Sequence, residues 1–231
     1  MSLTQLFDRA QSYFSTQRRR RRYKTLSRSD VFAEIFLKKT WTANLKNIPV
    51  SGVGSGVDQT ITARNVIEIA LQNNRISSIV DIGCGDFTWM REMDLGEVKY
   101  TGIDIVEELI KENRTLYSSP QKTFLSLDIC TDKIPSADLI ICRDCLVHLS
   151  LSEIQMALKN IRESGSMYFL ATTFTGISEN NDIVTGLWRP INLELPPFNF
   201  PKAISYAMED GQDSITDKIN KQLGFWKLEG V

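Results

Sequence analysis

Asp81, Asp104 and Asp128 each follow or close a short apolar run, and the first is followed at once by a turn with two glycines. That stretch reads Ser78-Ile79-Val80-Asp81-Ile82-Gly83-Cys84-Gly85-Asp86. Glycines after a buried strand let another molecule approach the backbone closely, and ligands of open parallel sheets bind at the carboxyl ends of the strands. The spacing is D-x-G-x-G with the acid ahead of the glycines. A dinucleotide pyrophosphate would be repelled there, whereas a ligand with a cationic centre suits it. Tyr100 to Ile105 forms a second run around Asp104, an acid placed to accept hydrogen bonds from ribose hydroxyls. In Leu127-Asp128-Ile129 a third carboxylate is placed to accept from an adenine amino group while Ile129 packs on the ring.

A second set of reactive residues follows the fourth apolar run: Arg143, Asp144 and His148, the chain's single histidine. A hydroxyl acceptor needs a general base, whereas an amine or thiol must be unprotonated. His148 is the candidate base. On a helix its i, i+4 offset would let Asp144 orient the imidazole. Arg189 and Asn192 are further candidate acceptor contacts, and Trp41, Trp89 and Trp188 read as core or rim anchors. Cys142 and Cys145 form a C-x-x-C, with Cys84 and Cys130 at isolated spacings. Buried thiols explain this pattern better than a zinc or redox site, so no metal is expected.

The elements that must position these groups alternate. Strands are expected at 79–82, 98–103, 123–127, 137–142 and 167–172, with helices at 88–93, 107–117 and 152–163 between them. This alternation predicts a parallel sheet with helices on both faces. Residues 203–208 and 223–228 are expected to close it as an antiparallel pair. Ahead of the sheet, Asp58 is the expected N-cap of a helix through Asn73 whose inner face is Ala63, Val66, Ile67 and Ala70. Earlier still come a helix at 31–37 and an amphipathic one at 2–17, carrying Leu3, Leu6, Phe7, Ala10, Tyr13 and Phe14. The glycine-rich loop from Ser51 to Gly56 reads either as a flexible linker or as a segment that folds over the ligand ahead of the Asp58 helix. Residues 176–201 hold four of the chain's seven prolines and read as an ordered, lid-like insertion.

Residues 78–146 resemble the class I S-adenosylmethionine-dependent methyltransferases. Val80-Asp81-Ile82-Gly83-Cys84-Gly85 is similar to that superfamily's first motif and Gly102-Ile103-Asp104 to its second. Leu127-Asp128-Ile129 and Ala137 to Cys142 are similar to the next two. The resemblance implies a Rossmann-like α/β fold with a mostly parallel seven-stranded sheet in the order 3-2-1-4-5-7-6. It implies S-adenosyl-L-methionine as cofactor, with Asp81, Gly83, Cys84, Gly85, Asp86, Trp89, Asp104, Ile105, Asp128, Ile129 and Arg143 as its contacts. His148, Asp144 and Arg143 are then the catalytic candidates. Phe87 stands where the usual third glycine would be, which leaves Asp86 to face the cofactor's ammonium or the acceptor. Gly85 to Trp89, Arg143 to Leu149 and Gly186 to Leu193 also resemble an uncharacterised bacterial group, some of whose members accompany glycan biosynthesis.

The chain has 231 residues, 42% of them hydrophobic and 24% charged, ordinary values for a globular α/β protein. The net charge of −1 conceals a split. Residues 1–50 carry 11 basic against 3 acidic side chains, +8, and the remainder 16 against 25, −9. The division expected is a basic helical extension with its glycine loop at 1–57, then a catalytic domain at 58–231. The acceptor expected is a small molecule or glycan-like compound methylated on a hydroxyl or amine. An RNA or protein methyltransferase docking through Arg18–Arg22, or a non-catalytic nucleotide-binding module, are the rival readings. That arginine run reads as a solvated helix end, or as a contact for phosphates or an anionic membrane surface. No apolar run is long enough to span a bilayer and the cysteines suggest no disulfide framework, so a cytoplasmic protein is expected.

Overall fold

A computed structural model describes residues 14–42, 48–209 and 219–228. Its centre is a seven-stranded sheet in the order β3-β2-β1-β4-β5-β7-β6. The strands are β1 Ser78–Ile82, β2 Lys99–Asp104, β3 Lys122–Ser126, β4 Leu139–Cys142, β5 Tyr168–Phe174, β6 Ser205–Met208 and β7 Lys221–Lys227. The first five run parallel; β7 is antiparallel to both its neighbours, β5 and β6. The expected order and closing hairpin are both present, and the sheet is mixed.

Side-chain alternation sorts the central strands into two cores. Val80, Ile82, Ile140, Cys142, Phe169 and Ala171 face one side, where helix α4 (Leu151–Glu163) covers them with Ile154, Ala157, Leu158 and Ile161. Ile79, Tyr100, Leu139, Ile141 and Leu170 face the other, under α2 (Ile61–Asn74) and α3 (Glu107–Tyr117). Burial on both faces is why these strands read as continuous apolar runs. Ser150 and Glu153 close a reciprocal capping box that fixes the start of α4.

Three local expectations are corrected. Residues 88–93 form no α-helix, only a 3₁₀ turn at Met90–Glu92. Phe87, Trp89, Met90, Met93 and Leu95 are all buried, a spacing too irregular for one helical stripe, and Phe87 bends the chain at φ +58°. Asp58 does not cap α2; it opens a 3₁₀ turn, Asp58–Thr60, and α2 begins at Ile61. Arg189 and Asn192 are structural rather than acceptor contacts. Arg189 is buried and donates to the carbonyls of Leu146, Leu149 and Asn181, while Asn192 accepts from Glu194 N.

The insertion at 176–201 has no regular secondary structure, yet Ile191 and Leu193 are fully buried in the main core. In the N-terminal part, residues 14–23 are helical and lead into α1 (Arg28–Leu37), capped by Ser27, which accepts from Asp30 N. The start of the helix expected at 2–17 lies outside the described residues. The described part continues through Tyr23, so the arginine run is helical. Tyr23, Val31 and Ile35 make a separate small core against Val184 and Leu187.

Candidate active site

The carboxyl ends of β1, β2 and β4 and the segment after β3 open onto one cavity of about 480 Å³. Its floor is the turn after β1. Gly83 and Cys84 donate their N–H groups to Ile103 O at 2.8 and 3.0 Å, and Asn113 of α3 donates to Gly85 O at 2.7 Å. Gly83 and Gly85 sit at φ +71° and +57°, where glycine is favoured. A Cβ on Gly83 would lie 2.9 Å from Cys145 Cβ, and one on Gly85 only 2.1 Å from Ser51 Oγ. The turn therefore leaves no room for larger residues.

Phe87 occupies the left-handed region itself, at φ +58°. Its ring points into the core, 5.1 Å from Tyr100, 5.2 Å from Tyr117 and 5.2 Å from Phe124 between centroids. It does not line the cavity. Losing the third glycine thus costs backbone strain and leaves the binding surface clear.

Of the expected cofactor contacts, Asp81, Gly83, Cys84, Gly85, Trp89, Asp104, Ile105, Asp128, Ile129 and Arg143 all line the cavity. Asp86 does not. Its carboxylate accepts Val50 N at 2.7 Å and Thr88 N at 3.2 Å, and its own N–H donates to Ser51 Oγ at 2.8 Å. Asp86 ties the glycine-rich loop to the β1 turn instead of facing an ammonium. Residues 50–55 of that loop form one wall of the cavity.

The three strand-end acids differ. Asp81 is buried, accepts from Tyr100 Oη at 2.7 Å, and is pushed up to about 7 by desolvation. Asp104 accepts Gly85 N and Val106 N at 3.2 and 3.0 Å, and burial raises its pKa as well. Asp128 is met by Arg28 of α1, Nη2 to Oδ2 at 2.7 Å, and the same guanidinium reaches Glu153 at 3.2 Å.

At the other end of the cavity, Asp144 and Lys221 pair at 2.6 Å. Arg143 Nε meets Glu209 at 2.7 Å, its Nη1 donates to Gly54 O at 2.9 Å, and its guanidinium lies 5.7 Å from the Trp89 ring centroid. Burial works to raise the Asp144 carboxyl, but the Lys221 and Arg143 cations prevail and hold it well below the usual carboxylate range. Asp144 is therefore occupied by Lys221 and does not orient His148. The i, i+4 expectation fails because Leu146–His148 is a 3₁₀ turn and Asp144 takes φ +52°. His148 Nδ1 instead lies 3.0 Å from Leu187 O, and Trp41 stacks on the ring at 4.6 Å between centroids. Burial lowers the imidazole pKa.

Sequence reading missed Arg28, Lys221 and Glu209, all of which line the cavity. Arg28 looks like an ordinary first-turn residue of α1. Lys221 and Glu209 flank strands of the closing hairpin, and no motif marks them. The four cysteines are free, and among the described residues no group of three or more His, Cys, Asp or Glu is placed to hold a metal ion.

The sequence profile described as "Methyltransferase domain" matches residues 79–164, which contain the β1 turn, Asp104, Asp128 and His148. That stretch of the chain is similar to a methyltransferase domain. The cavity has a glycine-tight floor, with Asp104 and the buried Asp81 at the strand ends beside it. Solved structures share the fold at low identity. Magnesium protoporphyrin IX methyltransferase (ChlM) from Synechocystis PCC 6803, with bound SAM, superposes with TM-score 0.61 at 14% identity, covering 88% of this chain and 98% of that one. N-methyltransferase NodS from Bradyrhizobium japonicum WM9, in complex with S-adenosyl-L-homocysteine, gives 0.58 at 13% identity, covering 87% and 98%. The methyltransferase domain of bacterial CtHen1-CN gives 0.54 at 12%, covering 74% and 100%. No curated protein matches the sequence. Among the described residues, no helix is long and apolar enough to cross a membrane.

Proposed function

We propose that this chain is an S-adenosylmethionine-dependent methyltransferase that transfers the methyl group to a hydroxyl of a small-molecule or glycan-like acceptor, with His148 as general base. The observation that carries the reading is the environment of His148. A carbonyl oxygen can only accept, so the 3.0 Å contact with Leu187 O assigns the ring proton to Nδ1 and leaves a lone pair on Nε2. Desolvation lowers the imidazole pKa and keeps that lone pair available near neutral pH. The stacked Trp41 and the Leu187 carbonyl hold the ring in place.

S-adenosylmethionine supplies a methyl made electrophilic by its sulfonium. The chain's own residues bind, align and exclude water. Asp104 receives the ribose hydroxyls, Asp128 and Ile129 border the adenine, and the β1 turn with residues 50–55 encloses the methionyl part. At the end of the cavity away from the β1 turn, Arg143, Glu209, Lys221 and Asp144 form a charge-balanced cluster of two cations and two anions. A balanced cluster favours a neutral acceptor over a strongly charged one. An amine acceptor would need no base once unprotonated, so a dependence on His148 separates the two chemistries.

The test is methyl transfer from radiolabelled S-adenosylmethionine to two probe sets, methyl glycosides and their amino-sugar counterparts. Expected are transfer to the hydroxyl probes, its loss in His148→Asn, and unchanged S-adenosylhomocysteine affinity in that variant. Undiminished transfer by His148→Asn would remove the base from the mechanism.

A further inference from the structure

We propose that Trp188 selects the acceptor by stacking on the apolar face of a pyranose ring, a role that rests on the reading of His148 as base to a hydroxyl. Trp188 is 45% exposed and lines the cavity, whereas Trp89 and Trp226 are buried. Singly exposed apolar side chains are ordinary on a surface. This one is held rigidly at a cavity. Gly186 N donates to His148 O at 2.8 Å and Arg189 N to Val147 O at 3.2 Å, so the backbone is clamped on both sides of the indole. The buried Arg189 guanidinium adds bonds to Leu146 O and Leu149 O at 3.1 and 2.6 Å. Leu187, next to Trp188, supplies the carbonyl at His148 Nδ1. One segment therefore carries the indole and sets the imidazole. Phe174 meets the indole edge-on, 6.0 Å between centroids, and still leaves it nearly half exposed.

The groups beside that ring decide the ligand. Phe174 of β5 pairs in register with Lys221 of β7, and side chains opposite one another on an antiparallel pair share a face. Lys221 in turn meets Asp144, whose side chain is 28% exposed, at 2.6 Å, and both line the cavity. An apolar plate thus adjoins a donor and an acceptor of hydrogen bonds. A pyranose combines the matching features: its C–H bonds make an apolar face, and the hydroxyls at its edge both donate and accept. A phenol would stack as well, but methyl transfer takes its one hydroxyl. It would strip water from Asp144 and Lys221 without replacing it, which costs affinity. An open-chain polyol has the hydroxyls but no fixed face, and it loses more conformational freedom on binding.

The test is saturation-transfer NMR and titration of the full chain, with and without S-adenosylhomocysteine. The probes are the methyl pyranosides of glucose, galactose and mannose, with sorbitol and phenol as comparisons. Expected is binding of at least one pyranoside more tightly than sorbitol and phenol, with saturation concentrated on the ring hydrogens of one face. Trp188→Ala should weaken that binding by about tenfold, and Trp188→Phe should restore most of it. Failure of every pyranoside to bind the parent, equal binding by Trp188→Ala, saturation spread evenly over both faces, or tighter binding of phenol would each overturn the proposal. A pyranoside that binds through Trp188 but is not methylated counts against the hydroxyl-transfer reading and leaves this one standing. Transfer to a hydroxyl that needs His148 but is indifferent to Trp188 does the reverse.

Discussion

Arg28 and Asp128 stand a hundred residues apart in the chain and 2.7 Å apart in the fold. Their pairing brings the N-terminal arm over the place where adenine is expected, and Arg28 also reaches Glu153 on α4. The arm is tied to the catalytic fold at further points: Trp41 on His148, Val50 on Asp86 and Gly54 on Arg143. The basic extension is thereby one wall of the cavity.

Arg28→Ala should loosen that wall. The pair is about one-fifth exposed on both sides, so the stability cost is discounted to about 1–2 kcal/mol. Cofactor affinity should fall by about tenfold, from partial loss of enclosure. Calorimetric titration with S-adenosylhomocysteine measures the affinity, and limited proteolysis near residue 28 measures the loosening.

Asp81 predicts a pH dependence. In the unfolded chain it loses its proton near its ordinary value of 3.8, whereas burial in the fold holds the proton until about pH 7. The native state binds more protons between these values, so this residue makes stability fall as pH rises through that window. The loss is on the order of a few kcal/mol. Asp81→Asn keeps an acceptor for Tyr100 and carries no charge. Thermal unfolding at pH 5 and pH 8 should show the parent losing stability between them and the variant losing less.

Phe87 separates strain from packing. Its left-handed backbone costs about 1–2 kcal/mol, which glycine would relieve. The side chain is 1% exposed among three aromatic rings, and truncating such a ring costs about 3–5 kcal/mol. Packing wins. Phe87→Gly should lower stability in chemical denaturation by about 1–4 kcal/mol, the difference between these two effects.

The sheet was legible because Ile79 to Ile82 and Leu139 to Cys142 are apolar without interruption, the mark of strands covered on both faces. The cavity floor was legible because the acids and glycines sit at strand ends, local in sequence. Asp86 was misread because its partners, Val50 and Ser51, lie more than thirty positions away. The Asp144–His148 pairing failed for a similar reason. Lys221, which takes Asp144, is 77 positions distant, and nothing in the hairpin sequence announces it. The missing helix at 88–93 turned on one φ angle at Phe87, which residue type does not reveal.

The most direct measurement is calorimetric titration of S-adenosylmethionine into the full chain and into Asp104→Ala. One-to-one binding by the parent, weakened by about tenfold or more in the variant through loss of the ribose acceptor, is the predicted result. Absence of binding by the parent, or equal affinity in the two proteins, would contradict the placement of the cofactor at the carboxyl ends of β1 and β2.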